Sequence, residues 1–465
     1  MYDYVLIGGG VAALSFANCA NNSGKKCLII DKNRELGGCH STKRNGDNLV
    51  YFHSPMVYSN AYTTLISLLK TMDLDFYDLF TEYNFNFTTV AGMSIRNISF
   101  REQFYLLTAF LRLLIDGNYG NTTSVSEFIE SNNFSDNTRV YLNNVCKLTD
   151  GAGIDTYTLN KFLQLVNQQS LYKLYQPREC LSKLFTLWKN YLTKSGNIDI
   201  LLDTSIMSIN SSNNQIMSIV TSRGEIIQGG EYIFAIPPIN LLSILKKSNI
   251  NGVIESEFVE RTNYLTYLPI TFHWKIKQIL PKIWGFPRND WGLAFIVESD
   301  YTDFKDPRSI TVINATLTDL DTKSKYTNKT ANESTKLELG IETLRQLKNA
   351  FPMLSDPDHV VIEGIYIENN MWYQNNTAYI DNIYGKNLPQ KLNGLDNAYQ
   401  LGTQNGLSKY QFTSMESAIY NGISLGHQLI PSSKLKYKLS NGYTVIDILR
   451  VIIIVIVLII IKNKF

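Results

Sequence analysis

The chain has 465 residues, of which 44% are hydrophobic and 18% charged, and its formal net charge is +2. This length and apolar content support two or more packed domains, and the lack of a basic excess argues against a nucleic-acid partner. The five cysteines form no C-x-x-C pair, and the five histidines have no metal-ligand spacing. We therefore expect mostly buried free thiols and no metal site.

The first predicted strand and helix enclose a glycine-rich turn. Residues 3–7 form an apolar run, and the sequence Gly-Gly-Gly-Val-Ala-Ala follows at once and opens a helix. In this G-x-G-x-x-A pattern Gly8 permits a tight turn, Gly10 lets backbone approach a pyrophosphate, and Ala13 allows close packing of helix on strand. The free N–H groups of the helix N-terminus would face the anion.

The second predicted strand, residues 26–30, ends at an acidic residue, Asp31, which would bind a ribose hydroxyl. Strand, turn, helix, strand and acid therefore occur in the order of a site for the adenosine diphosphate half of a dinucleotide. The fingerprint alone does not separate NAD from FAD. The residues predicted to contact the nucleotide in this part of the chain are Gly8, Gly10, Val11, Ala12, Ala13, Asp31 and Lys32.

A glycine doublet after Asp31 distinguishes the two dinucleotides. The stretch from Asp31 through Gly37 and Gly38 to Ser41 and Thr42 resembles the acid-x5-Gly-Gly-x-x-x-[Ser/Thr] element of the flavin-dependent amine oxidase superfamily. That superfamily includes monoamine and polyamine oxidases, phytoene desaturases and protoporphyrinogen oxidase. The resemblance implies FAD, with Gly37, Gly38 and Ser41 at the phosphates.

This chain departs from the superfamily beside the doublet. Glu35 and Cys39 stand where arginines are usual, so those charge contacts are absent or supplied elsewhere. Cys39 lies close enough to approach the cofactor, although a bystander role is favoured. The loop at 51–55 resembles the segment that follows the doublet in the superfamily.

The middle of the chain contains predicted helices and a β-meander. Residues 61–72, 102–116 and 160–192 read as helices. Within the second of these, apolar side chains recur every three to four residues and predict a stripe that faces the core. The stripe consists of Phe104, Leu107, Leu111 and Leu114.

Strands at 201–206, 216–221 and 224–227 predict the meander, which leads into residues 231–238. The last of these is similar to the superfamily strand that ends in Ala-x-Pro-Pro, and the resemblance implies that Ile206 contacts the adenine side through its backbone. Alternating aromatic residues at 265–318 predict a sheet over the flavin, and 336–351 reads as a helix.

The region at 399–422 is similar to the Gly-(Asp/Glu)…Met-Glu-Gly-Ala element of the superfamily. The resemblance implies a helix whose N-terminus points at the flavin pyrimidine ring. Gly402, Thr403, Ser414 and Met415 would then contact the cofactor. Thr403 replaces the usual carboxylate with a neutral hydrogen-bonding group.

The catalytic positions of the superfamily are not retained. The tyrosine before Met-Glu is Ser414, the lysine of the substrate strand falls near Thr271, and the flavin-attaching cysteine of monoamine oxidase falls nearest to Ala378. No cysteine follows Cys180, which excludes covalent attachment from the C-terminal region. The catalytic residues are therefore unknown, and the weak candidates, each also explained by packing, are Lys275, Tyr410 and Phe412, with Tyr379 beside them.

The C-terminus contains an unbroken aliphatic run at 451–461. Extended back to residue 443, it reaches the length of a membrane helix, with Asp447 and Arg450 paired near the interface. We interpret 443–461 as a single-pass anchor, with a buried strand or an interfacial helix as alternatives. Since the first strand begins near the N-terminus, no leader is expected, which would place the body in the cytosol.

The sequence thus predicts an α/β protein with a Rossmann-type FAD-binding domain assembled from residues 1–60, 195–245 and 385–430. A mixed α+β substrate domain would comprise 61–194 and 246–384, and 431–442 would link the body to the hydrophobic helix. By resemblance, the function is that of an FAD-dependent, amine oxidase-like oxidoreductase with noncovalent FAD. It would transfer hydride from a small organic substrate to flavin N5, with reoxidation by oxygen or another acceptor. For a lipophilic substrate delivered from the membrane, a desaturase or protoporphyrinogen-type oxidation fits as well as amine oxidation. The alternative is a membrane-bound flavin-fold protein that has lost catalysis and has a structural or interaction role.

Overall fold

The computed structural model describes residues 1–84, 98–280, 282, 285–286, 289–382, 385–439, 449–450, 452–453 and 455–456. The strands in chain order are β1 (Tyr2–Ile7), β2 (Cys27–Ile30), β3 (Lys43–Arg44), β4 (Val50–Tyr51), β5 (Tyr58–Ser59), β6 (Phe80–Glu82), β7 (Leu174–Pro177), β8 (Ile198–Leu201), β9 (Ile206–Ser212), β10 (Gln215–Thr221), β11 (Ile226–Ile227), β12 (Gly229–Phe234), β13 (Thr262–Tyr264), β14 (Leu268–Trp274), β15 (Gly285–Phe286), β16 (Leu293–Val297), β17 (Thr311–Leu317), β18 (His359–Val361), β19 (Ile365–Glu368), β20 (Met371–Gln374), β21 (Tyr379–Asn382) and β22 (Ala398–Gln400). The helices are α1 (Val11–Asn22), α2 (Thr63–Lys70), α3 (Phe76–Leu79), α4 (Phe100–Ile115), α5 (Val125–Ser131), α6 (Asp136–Asp150), α7 (Leu159–Leu171), α8 (Leu181–Thr193), α9 (Pro238–Lys247), α10 (Ser256–Glu260), α11 (Lys336–Ala350) and α12 (Met415–Leu429).

A five-stranded parallel sheet, in the order β22-β12-β1-β2-β8, forms the nucleotide-binding side of the molecule. Its central strands are continuous apolar runs because helices or a second sheet cover both faces. Side chains alternate between the faces, so Leu6 packs with α1, α8 and α12. Val5 and Ile7 pack against the meander and α9. These positions confirm the predicted α/β Rossmann-type arrangement.

An antiparallel sheet in the order β15-β16-β17-β14-β18 forms the second layer. Every residue of β14, β16 and β17 is buried. One core consists of alternate residues of this sheet packed with α11, among them Phe272, Trp274 and Phe295. This sheet corresponds to the aromatic strands predicted at 265–318.

The predicted core-facing stripe of α4 is wrong. Phe104, Leu107 and Leu111 are 60%, 54% and 44% exposed, and of the four predicted residues only Leu114 is buried. The opposite side of the helix faces the core and includes Ala109 and Leu113. Periodicity identified residues that share a face, but it did not show which face has a packing partner.

Two further boundaries differ from the sequence prediction. Residues 160–192 are not one helical segment, because β7 separates α7 from α8 and pairs with β5 and β6. The meander begins at β9, while the preceding residues 198–201 form edge strand β8 of the parallel sheet. Helix α8 also packs on α1, where Trp188 Nε1 donates to Asn18 Oδ1 at 3.1 Å. The parallel sheet and its helices are therefore packed against residues that the sequence assigned to the substrate domain.

The predicted anchor at 443–461 lies almost entirely outside the described residues. In the part of the chain that the structure describes, no helix combines the length and the apolar character needed to cross a bilayer. The predicted C-terminal membrane helix is therefore not confirmed.

Close packing of α12 on α1 generates a stability prediction. A Cβ added at Gly422 would lie 2.1 Å from Ser15 Oγ and 2.4 Å from the Ala12 carbonyl oxygen. We expect Gly422→Ala to lower the free energy of unfolding by about 1–3 kcal/mol, because backbone must move apart. The measurement is the midpoint of urea unfolding.

The matched control is Gly340→Ala in α11, where the new Cβ meets only the flexible end of Ile362 at 3.2 Å and the side chain of Val360. Helix propensity should make that change neutral or stabilising. Equal midpoints for the two variants would contradict the close approach of the helices.

Candidate functional site

The turn after β1 brings backbone from two strands into contact. Gly8 has φ +105°, and a Cβ there would lie 2.4 Å from the Ala235 carbonyl oxygen. The next amide, Gly9 N–H, donates to Asp31 Oδ2 at 2.6 Å. Gly10 then precedes α1 as its N-cap, with no side-chain cap, and a Cβ there would meet nothing within 4 Å. The first amides of α1 are thus left facing open space, as an anion requires.

The glycine doublet lies against this turn. Gly37 N–H donates to the Gly9 carbonyl oxygen at 2.8 Å. Gly37 has φ +106°, and a Cβ there would lie 2.4 Å from the ring of Phe185. A Cβ at Gly38 would lie 3.4 Å from Gly10 Cα. Because both turns lack side chains here, the backbone itself forms the wall of the opening between them.

This opening is a crevice of about 400 Å³ at the carboxyl ends of β1, β2 and β12, the place where open α/β sheets bind ligands. One charged pair of opposite sign, Asp31 and Lys32, lines it at the end of β2, and Lys247 lines it from α9. The Asp31 carboxylate is held by the amide of Gly9 and by the backbone and side chain of Asn33. Its position therefore does not depend on a ligand.

A second cavity of about 140 Å³ lies beside the crevice. Its walls are largely apolar and aromatic and come from several elements. They include Met56, Tyr58, Tyr62, Leu165, Leu174, Leu265, Tyr267, Ile380, Phe412 and Met415. Five residues line both spaces and mark the junction between them, namely Cys39, His40, Ala378, Thr413 and Ser414.

Two histidines stand at or near this junction. The His53 Nε2 lies 2.6 Å from the Asn376 carbonyl oxygen, and His40 Nδ1 lies 3.2 Å from the Tyr58 hydroxyl. Burial, together with the nearby His53, lowers the pKa of His40 to about 4, so its ring is neutral at pH 7. The described residues that line the second cavity include no acidic side chain.

The predicted cofactor residues largely come together. Those that line the crevice are Gly8, Gly10, Val11, Ala12, Asp31, Lys32, Gly37, Gly38, Ile206, Gly402, Thr403 and Ser414. Ala13 is fully buried and packs in the core behind the turn. Ser41 instead donates to Glu35 at 3.0 Å, and Met415 lines the second cavity rather than the crevice.

The catalytic candidates do not lie together in one site. Lys275 follows β14 on the surface, paired with Asp358 at 3.5 Å, and lines neither space. Tyr410 is buried next to Phe412, with ring centroids 5.8 Å apart, and lines neither space. Phe412 lines the second cavity and Tyr379 the crevice.

Sequence reasoning missed three sets of lining residues. Helix α9 contributes Asn240, Ser243 and Lys247 to the crevice, and no motif in that helix marks them. The aromatic wall of Tyr58, Tyr62 and Tyr267 comes from segments far apart in the sequence, so nothing local indicated it. His53 lies in the loop whose resemblance to the superfamily was noted, which is the one available signal.

The first turn of α12 carries a buried acid that faces away from the crevice. Glu416 accepts hydrogen bonds from the amides of Thr64 and Leu65, at 2.8 and 2.9 Å, and so caps α2. Burial raises the pKa of Glu416 to about 7 despite these bonds. The α12 N-cap is Ser414, whose Oγ accepts from the Ser417 amide at 3.1 Å.

The comparisons with known proteins agree with this geometry. A sequence profile described as an NAD(P)-binding Rossmann-like domain matches residues 6–71, and no curated protein sequence matches the chain. Among solved structures, an oxidoreductase from Methanosarcina mazei has 12% identity and a TM-score of 0.61, over 91% of this chain and 99% of that one.

Two amine oxidases are similarly related. Putrescine oxidase bound to putrescine has 12% identity and a TM-score of 0.63, over 92% of this chain and 99% of that one. Cyclohexylamine oxidase from Brevibacterium oxydans has 13% identity and a TM-score of 0.59, over 92% and 99%. The fold of the flavin amine oxidase-like proteins therefore extends over nearly the whole chain, and at the level of fold the resemblance is confirmed.

The raised pKa of Glu416 predicts a pH-dependent stability. In the folded state this carboxyl binds its proton up to about pH 7, whereas in the unfolded chain it ionises near pH 4.5. Its protonation therefore stabilises the fold below pH 4.5, and the contribution is lost as pH rises to 7. We expect the unfolding free energy of the wild type, minus that of Glu416→Gln, to fall over this interval by up to about 3 kcal/mol.

Urea unfolding of both proteins at pH 5, 6, 7 and 8 measures this difference. A Gln side chain has one acceptor oxygen and cannot accept hydrogen bonds from both amides equally well. The variant should therefore have a lower free energy of unfolding than the wild type at every pH. The slope of the difference is the readout, and two parallel curves would contradict the raised pKa.

Proposed function

We propose that the chain is an FAD-dependent oxidoreductase that binds FAD noncovalently in the crevice and a small organic substrate in the second cavity. The observation that carries this proposal is the junction, where a nucleotide-sized crevice at the sheet edge opens onto a separate apolar cavity. A plain dinucleotide-binding module needs the first space only. An enzyme that brings a redox ring against a substrate needs both.

The residues of the crevice fit FAD. The amides at Gly10 and Val11 would hold the pyrophosphate, and Asp31 would hold a ribose hydroxyl. Thr413 and Ser414 stand at the junction, where the redox ring belongs, with the N-terminus of α12 behind them. When bound, the flavin supplies the acceptor for a hydride from the substrate, with later reoxidation by oxygen or another acceptor. Ala378, the position nearest to the flavin-attaching cysteine of monoamine oxidase, carries no thiol, which supports the absence of a covalent link at that position.

The second cavity favours a small and largely apolar substrate. Its walls are aromatic and aliphatic, and its polar groups are neutral or basic, with Gln168 and Ser54 among them. The names of two structural relatives, putrescine oxidase and cyclohexylamine oxidase, support an amine. A diamine would find no carboxylate on the described walls, so we favour a monoamine or a neutral lipophilic molecule.

Bound flavin is the direct test. We expect purified wild-type protein to be yellow, with flavin absorbance bleached by dithionite, and Gly10→Ala to bind FAD about tenfold to a hundredfold more weakly. The new Cβ would enter space that is open in the protein but that the pyrophosphate would need. Absorbance spectra and FAD titration of the apoprotein provide the measurement.

Gly46→Ala is the matched control, because a Cβ there also meets nothing within 4 Å but lies in an exposed turn away from the crevice. It should retain the affinity of the wild type. A folded, colourless wild type that takes up no added FAD would reject the enzyme and favour a flavin-fold protein with a structural or interaction role.

We also propose that the exposed face of α4 contacts a membrane surface. Phe100, Phe104, Leu107, Leu111 and Ile115 are exposed along one side of the helix, and a contiguous exposed apolar stripe can mark an interaction surface. Arg101 and Arg112 are exposed on the same helix, which suits anionic headgroups.

The C-terminal segment reaches the same place. Arg450 Nε donates to the Leu114 carbonyl oxygen at 2.6 Å, so the chain lies beside the end of α4 at this residue. The exposed side chains of Ile452, Val455 and Ile456, which follow it in sequence, would meet the same lipid surface as the stripe. Such contact suits a lipophilic substrate, and it requires no helix that crosses the bilayer.

Vesicle binding of the full chain tests this contact. We expect Leu107→Ser/Leu111→Ser to weaken binding to vesicles of phosphatidylcholine and phosphatidylserine at least tenfold, because two leucines lose burial in lipid. The control is Leu337→Ser/Ile341→Ser, a more exposed pair with the same spacing on α11. Equal binding of both variants, or no binding by the wild type, would contradict the proposal.

A further inference from the structure

Cys39 occupies an unusual position among the cysteines of this chain. All five are free, and Cys39 alone lines both the crevice and the second cavity. Cys19, Cys27 and Cys146 are buried in the core. The thiol at 39 therefore faces any small molecule that enters either space.

His53 lies in the wall of the same cavity with one ring nitrogen unused. Its side chain is 7% exposed. Because Nε2 meets a carbonyl oxygen at 2.6 Å, Nε2 must carry a proton, which fixes the orientation of the ring. Nδ1 is buried and makes no ordinary hydrogen bond with any described residue. A buried nitrogen in that state needs a partner from the cavity.

The charges around the pair favour its ionised form. Burial opposes ionisation of Cys39, but His53 and then Lys43 and Lys32 outweigh it and lower the pKa of the thiol. Burial likewise disfavours the imidazolium of His53, but Cys39 outweighs it and raises the pKa of the ring. Lys43 acts against the charge on His53.

We propose that Cys39 and His53 form a nucleophilic site at the junction that captures small apolar electrophiles of the α,β-unsaturated carbonyl class. The sulfur of Cys39 forms a bond to the β-carbon, and the π electrons of the C=C bond move to give an enolate. His53 donates the Nδ1 proton to that enolate, so the adduct contains the whole electrophile and no electron acceptor is needed. The apolar walls hold the carbon skeleton, and the neutral ring of His40 leaves the proton with His53.

This site goes beyond the proposed oxidoreductase function and does not depend on it, because capture needs no flavin. In an enzyme whose product is an unsaturated carbonyl or imine, the same thiol would be the first group the product meets. An adduct on the thiol would then block the opening between the crevice and the second cavity.

Alkylation of the full-length protein, followed by peptide mass spectrometry, tests the site. With iodoacetamide, we expect Cys39 to react with a midpoint below the ordinary thiol value near 8.5. The internal reference is Cys180, which is also half-buried but whose pKa burial raises to about 11, so it should stay unmodified in that range. With cyclohex-2-enone at pH 6.5, Cys39 alone should gain the full mass of the enone.

Variants of the two histidines distinguish a Cys39 thiol that is activated by His53 from a thiol that reacts only because it is accessible. His53→Gln can still donate to the Asn376 carbonyl, and it should move the midpoint toward the ordinary value near 8.5 and slow the reaction at pH 6.5 more than tenfold. His40→Gln, at the same junction, should change the rate less than threefold. An ordinary midpoint in the wild type, or a midpoint that His53→Gln leaves in place, would overturn the proposal. Neither result depends on whether the protein binds FAD.

Discussion

The close approach of backbone to backbone at the end of β1 is the constraint on which the rest of the structure depends. Gly8 lies against the Ala235 carbonyl oxygen, and the amide of Gly37 reaches the carbonyl oxygen of Gly9. Two turns and a neighbouring strand thus meet with no side chain between them. This leaves Gly10 at the edge of an open space, with the uncapped amides of α1 pointing into it. These free amides beside an open space are a consequence of the packing, and no charged side chain has to create them.

Small residues in α12 likewise allow close backbone packing, and this packing fixes the position of the junction. Gly422 and Gly426 let this helix approach α1 so closely that a Cβ at either position would fall under 3 Å from its neighbours. That approach fixes where α12 begins, and its N-cap Ser414 comes to stand between the crevice and the second cavity. Packing between two helices far apart in sequence therefore determines where the crevice and the second cavity meet.

How much the sequence predicts depends on the distance over which a constraint acts. The turn at Gly8 and Gly10 and the doublet at 37–38 are local features that were predicted, and positive φ at Gly8, Gly37 and Gly38 favours glycine there. The direction of the α4 stripe, the isolation of Lys275 and the aromatic wall depend on long-range packing that periodicity does not contain. Cys39 and His53 are fourteen positions apart by their numbering, and only the fold makes them neighbours.

The placement of Glu416 explains how α12 can present an N-terminus to the crevice while it carries an acid in its first turn. A carboxylate exposed there would repel a phosphate or an electron-rich ring. Here both carboxylate oxygens are bound to the amides of Thr64 and Leu65. The acid thereby stabilises the start of α2, which has no side-chain cap of its own, and burial keeps it largely protonated below pH 7. One residue thus anchors α2 to α12 and keeps a negative charge away from the crevice. The N-terminal end of the α12 dipole and Ser414 are left to face the crevice.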